Sequence, residues 1–302
     1  MLLELVKVLV EVILPVFGVV VVGFLAGPRL GLQAGTLTRS AYFIFVPAFI
    51  FRVISHTEVS LAAAARMIGF VVLAQVLAAL AAGGLGRLLG RPRQIIAAFI
   101  MVAVFGNVGN FGLAAIRFRL GDDALGPATL YSVVITLAAF VLCVGAAGWA
   151  RGGGAGAVSG VLRTPALWAM VPALMVSGFN LTVPLFAERL IGLLADAMIP
   201  VMLFALGVQI HEQKRIFIDR DVLTACGLRL LLAPLVAWGV VGWFGLTPLQ
   251  AASGILQAGM PTAILVSIIA REHDLLPAFA TSVVVVSTLF CLASLSLLMV
   301  LV

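Results

Sequence analysis

The residues best suited to handling a solute are amides. Asn107 and Asn110 stand three apart in the run Phe105-Gly106-Asn107-Val108-Gly109-Asn110-Phe111-Gly112, inside an otherwise apolar stretch. In a continuous helix that spacing puts both on one face, and each side chain offers a donor and an acceptor. Three glycines in the same run argue instead for a helix that opens. In hydrocarbon the exposed backbone groups are costly unless protein, water or a bound solute satisfies them, so such a break usually lines a cavity. There the asparagines have two readings: they satisfy the opened backbone and neighbouring helices, or they contact the solute. A second breaker, Gly259-Met260-Pro261-Thr262, begins 153 residues after Gly106. Pro261 removes a backbone donor, so it either kinks its helix or starts a new half-helix. Half-helix N-termini carry free amides and partial positive charge, which suit an anion. The carbonyl ends before them suit a cation or a proton-carrying partner. Candidate binding positions are therefore Asn107, Gly109, Asn110, Gly259, Pro261 and Thr262.

Charged and polar side chains inside apolar segments extend this set. Asp196, four residues before Pro200, is a candidate for proton or cation coupling, with Gln257 and Ser253, whose spacing puts them on one helical face. For Ser253 an interhelical hydrogen bond is the simpler role. Arg229 is either a partner for a carboxylate or a side chain that snorkels to the nearby helix end, and the second is the expected reading. Asp122-Asp123 and Arg271-Glu272-His273-Asp274 read as solvated loop charge. Cys143, Cys226 and Cys291 lie singly in apolar runs, as small core residues do. No Ser/His, Cys/His or His/Glu spacing supports hydrolysis or metal binding, so no catalytic residue, metal or cofactor is expected, nor is an enzyme.

The elements that must position these residues are membrane spans. With 63% hydrophobic residues, 10% charged and a mean hydropathy of +1.25 over 302 residues, the chain is too apolar for a soluble domain. Its net charge of +6 gathers in short loops rather than in a basic-aromatic patch, so no nucleic-acid partner is implied. Ten segments of spanning length tile the sequence: 8–26, 38–54, 67–85, 95–116, 127–149, 165–179, 190–210, 223–243, 249–270 and 275–298. The breaks fall in the fourth and ninth. One transmembrane domain over 1–302 is expected, with a first five-helix repeat at 1–150, a Gly-rich linker at 151–162 and a second repeat at 163–302. An odd number of spans per half inverts the second half, and Pro47 to Pro200 repeats the 153-residue shift. Lys and Arg are more numerous in the alternate loops holding Arg87, Arg91, Arg93, Arg151 and Arg220 than in those holding Arg52, Arg117 and Arg189. The positive-inside rule then puts both termini outside the cell membrane.

The runs Asn107-x-Gly109-Asn110-Phe111-Gly112 and Met260-Pro261-Thr262-Ala263, together with Ile199-Pro200 leading to Leu206-Gly207 and with Pro47, resemble the auxin efflux carrier family of transporters. The resemblance implies an all-α polytopic protein, with the broken fourth and ninth helices crossing near the membrane midplane, an architecture shared with bile acid:sodium symporters. It also implies a scaffold of the first, second, sixth and seventh spans, through which a homodimer is expected. Many members place a proline soon after the first break, where this chain has Leu113-Ala114-Ala115. The implied function is secondary transport of a small organic anion such as a carboxylate, by alternating access of a crossing-helix core against the scaffold. Two alternatives stand beside it: a sodium- or proton-coupled symporter or exchanger of another solute, and a non-transporting membrane sensor.

Overall fold

The computed structural model describes residues 6–7, 9–56, 61–151, 165–179, 181–212 and 216–302. Linker residues 152–162, with Arg163, Lys214 and Arg215, fall outside the described residues. The described chain is helical throughout, with one two-residue bridge and no sheet. In order the helices are α1 (Leu14–Arg29), α2 (Ala34–Ser55), α3 (Leu61–Leu88), α4 (Arg93–Val104), α5 (Leu113–Leu120) and α6 (Leu125–Arg151). The second half supplies α7 (Pro165–Gly178), α8 (Leu185–Glu212), α9 (Arg220–Phe244), α10 (Pro248–Ala258), α11 (Ile264–Glu272) and α12 (Pro277–Leu301).

Six of these are long and apolar enough to cross a membrane alone: α2, α3, α6, α8, α9 and α12. The sequence pattern has ten apolar stretches, and the difference has a local cause. The stretch at 95–116 is split into α4 and α5, and that at 249–270 into α10 and α11, so no single piece reaches spanning length. Helix α1 has 16 residues and follows a widened turn, while α7 has 14 and starts beside undescribed residues.

Prolines shape the helices in a regular way. Widened π-turns occupy Leu9–Ile13, Ala41–Phe45, Val108–Gly112 and Leu228–Leu232, and all but Val108–Gly112 are followed two residues later by proline: Pro15, Pro47 and Pro234. A proline ring has no amide to donate and collides with the carbonyl four residues back. Widening the preceding turn moves that carbonyl aside without ending the helix.

Packing between helices relies on small residues where backbones touch. Gly23 and Gly27, four apart on α1, face Phe204 and Val208 of α8, and Gly207 of α8 faces the backbone of Val20 and Phe24. A Cβ on Gly23 would overlap the carbonyl oxygen of Phe204, and one on Gly207 the carbonyl oxygen of Val20. In lipid, such close approach replaces the hydrophobic drive that apolar side chains supply in water. Helix α8 also packs on α2, and α2 on α7, while α3, α4 and α6 pack together. At one end Arg87 and Arg93 flank the Trp149 ring at 5.9 and 5.8 Å, and Arg91 pairs with Asp221 at 2.8 Å. Arg52 and Arg117 line a cleft at the other end of the bundle.

Candidate functional site

The helical run that begins at Arg93 stops at Val104, and Phe105 to Asn107 leave the helical conformation, with Asn107 at φ −78° and ψ 58°. The run from Pro248 stops at Ala258, and Ala263 is extended before α11 begins. The two openings lie against each other. Gly106 and Thr262 face as an antiparallel bridge, the Asn107 amide donates to the Pro261 carbonyl at 2.7 Å, and the Ala263 amide donates to the Phe105 carbonyl at 2.8 Å. Pro261 has no amide, so it contributes a carbonyl there without leaving an orphan donor. The Thr262 amide instead donates to Ser287 Oγ of α12 at 3.1 Å.

On the amide side nothing closes the helices. The turn starting at Val108 and the helix starting at Ile264 both lack a side-chain cap. The amides of Val108, Gly109, Ile264 and Leu265 have no acceptor among the described residues. All four residues line one cavity of about 120 Å³. Asn107 lines it too: its residue is 4% exposed and its Nδ2 has no hydrogen-bond partner. Thr129 of α6 adds a buried, unpartnered hydroxyl, and the remaining walls include Phe49, Ile50, Met198 and Met202. The cavity is thus an apolar chamber whose lining residues include several with unpaired donors, a composition that suits a small body bearing negative charge.

On the carbonyl side stands Arg229, which is 2% exposed. Its Nη1 donates to Ala103 at 2.6 Å, its Nε to Met260 at 2.7 Å and its Nη2 to Ala258 at 2.6 Å. The snorkelling expected from the sequence does not occur. The guanidinium reaches inward because three carbonyls freed by the openings satisfy it there, and a fourth, from Gln257, lies at 3.4 Å.

The other candidate residues divide between these places. Gly109 lines the cavity and Pro261 lies in the bridged segment. Gly259 ends α10 against the side-chain end of Leu298, which a Cβ would have to push aside. Asn110 lies in the first turn, and its side chain is outside the described set. Thr262 is buried with its hydroxyl unpartnered. Gln257 and Ser253 are buried on α10 and do not line the cavity. Gln257 Nε2 donates to Ser132 Oγ at 3.0 Å and to the Ala128 carbonyl at 3.2 Å. Asp196 sits apart, its side chain 68% exposed and paired with Arg52 at 2.6 Å, in a cleft of about 1170 Å³ that also holds Arg117, Asp122 and Glu188. Phe49, 6% exposed, lines both the cleft and the small cavity.

Thr129, Ser132 and Thr136 were not singled out from the sequence. Their spacing of three and four in an apolar span is a polar helical stripe, which is the signal that would have found them. Ser287 has no such signal, because its role depends on α12 passing behind the second opening.

Comparison with known proteins bears on the same region. The sequence model described as "Membrane transport protein" matches residues 158–299, which include the second opening. A Methanothermobacter thermautotrophicus protein named an uncharacterized transporter is 26% identical over 269 residues, 88% of each chain. A Rhizobium meliloti protein provisionally named a malonate transporter is 25% identical over 300 residues, covering 93% of this chain and 92% of its own.

Proposed function

We propose that the chain is a membrane transporter rather than an enzyme, in keeping with the model it matches over residues 158–299 and with the names of its relatives, and that it carries a small organic anion through the cavity between its two openings. The observation that carries the reading is that two sets of residues with uncapped amides, Val108–Gly109 and Ile264–Leu265, line one chamber with Asn107, whose Nδ2 is unpartnered. A carboxylate there would receive donors from both halves of the chain. Malonate, the solute in the name of the Rhizobium relative, is the first to try.

The proposed architecture is ten spans in two inverted five-helix repeats, with α4–α5 and α10–α11 as crossing broken helices. In its support, Gly106 and Gly259 keep the 153-residue shift, as do Pro47 and Pro200. We place α1, α2, α7 and α8 in a scaffold, against which the crossing helices move to expose the cavity to each side in turn. Both termini are placed outside the cell membrane, because Arg87, Arg91, Arg93 and Arg151 lie at the opposite end of α3 from Arg52. A homodimer through the scaffold completes the proposal.

Phe49 then partitions the cavity from the cleft. Phe49→Ala is expected to let solute exchange without full movement of the core, seen as faster leak of preloaded malonate from proteoliposomes; a leak equal to that of the unaltered protein would remove Phe49 as the partition. The reading itself is tested by malonate and monocarboxylate uptake into sealed proteoliposomes. Asn107→Ala removes one hydrogen bond to a charged group, worth about 1.5–3 kcal/mol, so KM should rise roughly 10- to 100-fold. Absence of uptake for every small carboxylate tried, or an unchanged KM in the variant, would sink the assignment.

A further inference from the structure

The openings leave carbonyls as well as amides. In a dehydrated interior a cation ordinarily has to meet the negative ends of the half-helices. Here the carbonyls belong to Ala103, next to the end of α4, and to Ala258 and Met260, at the end of α10, and all three accept from the guanidinium of Arg229. Among the described residues no carboxylate lies within ion-pair distance of Arg229, so its charge is balanced by carbonyl dipoles drawn from both halves of the chain. The fit leaves little spare room: a Cβ on Gly106 would stand 2.6 Å from Nη2. The widened turn Leu228–Leu232, imposed by Pro234, carries Arg229 and sits directly against α4.

We infer that Arg229 is the resident cation of the two openings, filling with a fixed guanidinium the place that an inorganic coupling ion would otherwise take at the carbonyl ends. Arg229 is a positioning residue. It ties the carbonyl ends of both broken helices together while their amide ends stay open to the cavity, and neither the folded opening nor solute movement calls for sodium at that place. The inference rests on the transport reading for its flux arm only, because the stability arm needs no solute.

The test uses the purified full chain. Melting temperature is measured with sodium, potassium or choline as the sole monovalent cation, for the unaltered protein and for Arg229→Ala and Arg229→Lys. The expected result is one Tm for the unaltered protein in all three salts. Arg229→Ala should melt several degrees lower and recover part of that loss in millimolar guanidinium, which leaves the unaltered protein unmoved. Arg229→Lys keeps the charge but cannot reach three carbonyls at once, and should fall between the two. In proteoliposomes, initial malonate uptake by the unaltered protein should be equal in sodium and choline. A Tm or rate for the unaltered protein that falls several-fold or several degrees on removing sodium overturns the inference. So does an Arg229→Ala protein that keeps the unaltered Tm or ignores guanidinium. If Arg229→Ala gives no folded protein, the unaltered protein in sodium and choline and the lysine variant still decide. A protein that fails to move any carboxylate yet passes the stability arm refutes the transport reading and leaves the resident cation standing.

Discussion

Gly106→Val is expected to lower solute uptake at least about tenfold and to reduce thermal stability at the same time. The added Cβ would stand 2.6 Å from Nη2 and 2.9 Å from Cζ of Arg229, so the guanidinium must leave its carbonyls. A buried charge deprived of its partners costs on the order of 3–5 kcal/mol, and each 1.4 kcal/mol that falls on the transport step is tenfold in rate. Gly106 also faces Thr262 in the bridge between the two openings, so the shift disturbs both halves. Gly106→Ala should give an intermediate loss, since its single methyl meets the same nitrogen without branching further. Uptake into proteoliposomes, read alongside Tm, checks both; a valine variant with ordinary uptake would show that the close approach of Arg229 is dispensable.

Gly207→Val is expected to leave little folded protein. The overlap at Gly207 is with backbone, the Val20 carbonyl and the Phe24 amide of α1, so no side-chain rotation relieves it. Overpacking a core usually costs about 1–3 kcal/mol when neighbours can adjust. Here α1 and α8 would have to separate along the face they share, and in lipid that contact is held by packing alone. Gly18 is the control, because a Cβ there meets nothing within 4 Å. Gly18→Ala should be neutral or slightly stabilising through helix propensity. The monodisperse fraction on size exclusion in detergent separates the two outcomes. Equal recovery of Gly207→Val and Gly18→Ala would mean that α1 and α8 do not depend on this contact.

Much of this was legible in the sequence because the relevant signals are local. Three glycines and two asparagines in eight residues marked the first opening, and Gly259 with Pro261 marked the second. Hydropathy located the apolar stretches, although only six helices emerge as long continuous spans, because the broken ones are short pieces. What could not be read was pairing at a distance. The 153-residue shift matches the two runs as counterparts, but the hydrogen bond from the Asn107 amide to Pro261 joins residues 154 apart and has no local signal in either run. Arg229 was misread for a related reason. An arginine near the end of an apolar stretch ordinarily finds water, and only the fold shows that three unpaired carbonyls lie closer. Asp196 was singled out as a charge inside a span, but the pairing with Arg52 in an open cleft depends on how α2 meets α8.

The proline-bearing wide turns bear on how far a span can slip. A π-turn holds one residue more than the α-helical turn it replaces, and a residue of α-helix rises about 1.5 Å. Closing the turn to α geometry would bring the Pro47 ring back against the carbonyl four residues before it, so the extra residue is held in place. In α2 the turn at Ala41–Phe45 separates the Ala34 end from Phe49, which lies two residues beyond Pro47. The helix therefore carries a fixed one-residue offset just ahead of Phe49, which lines both cleft and cavity. Where the Phe49 ring stands along α2 is thus set by that turn.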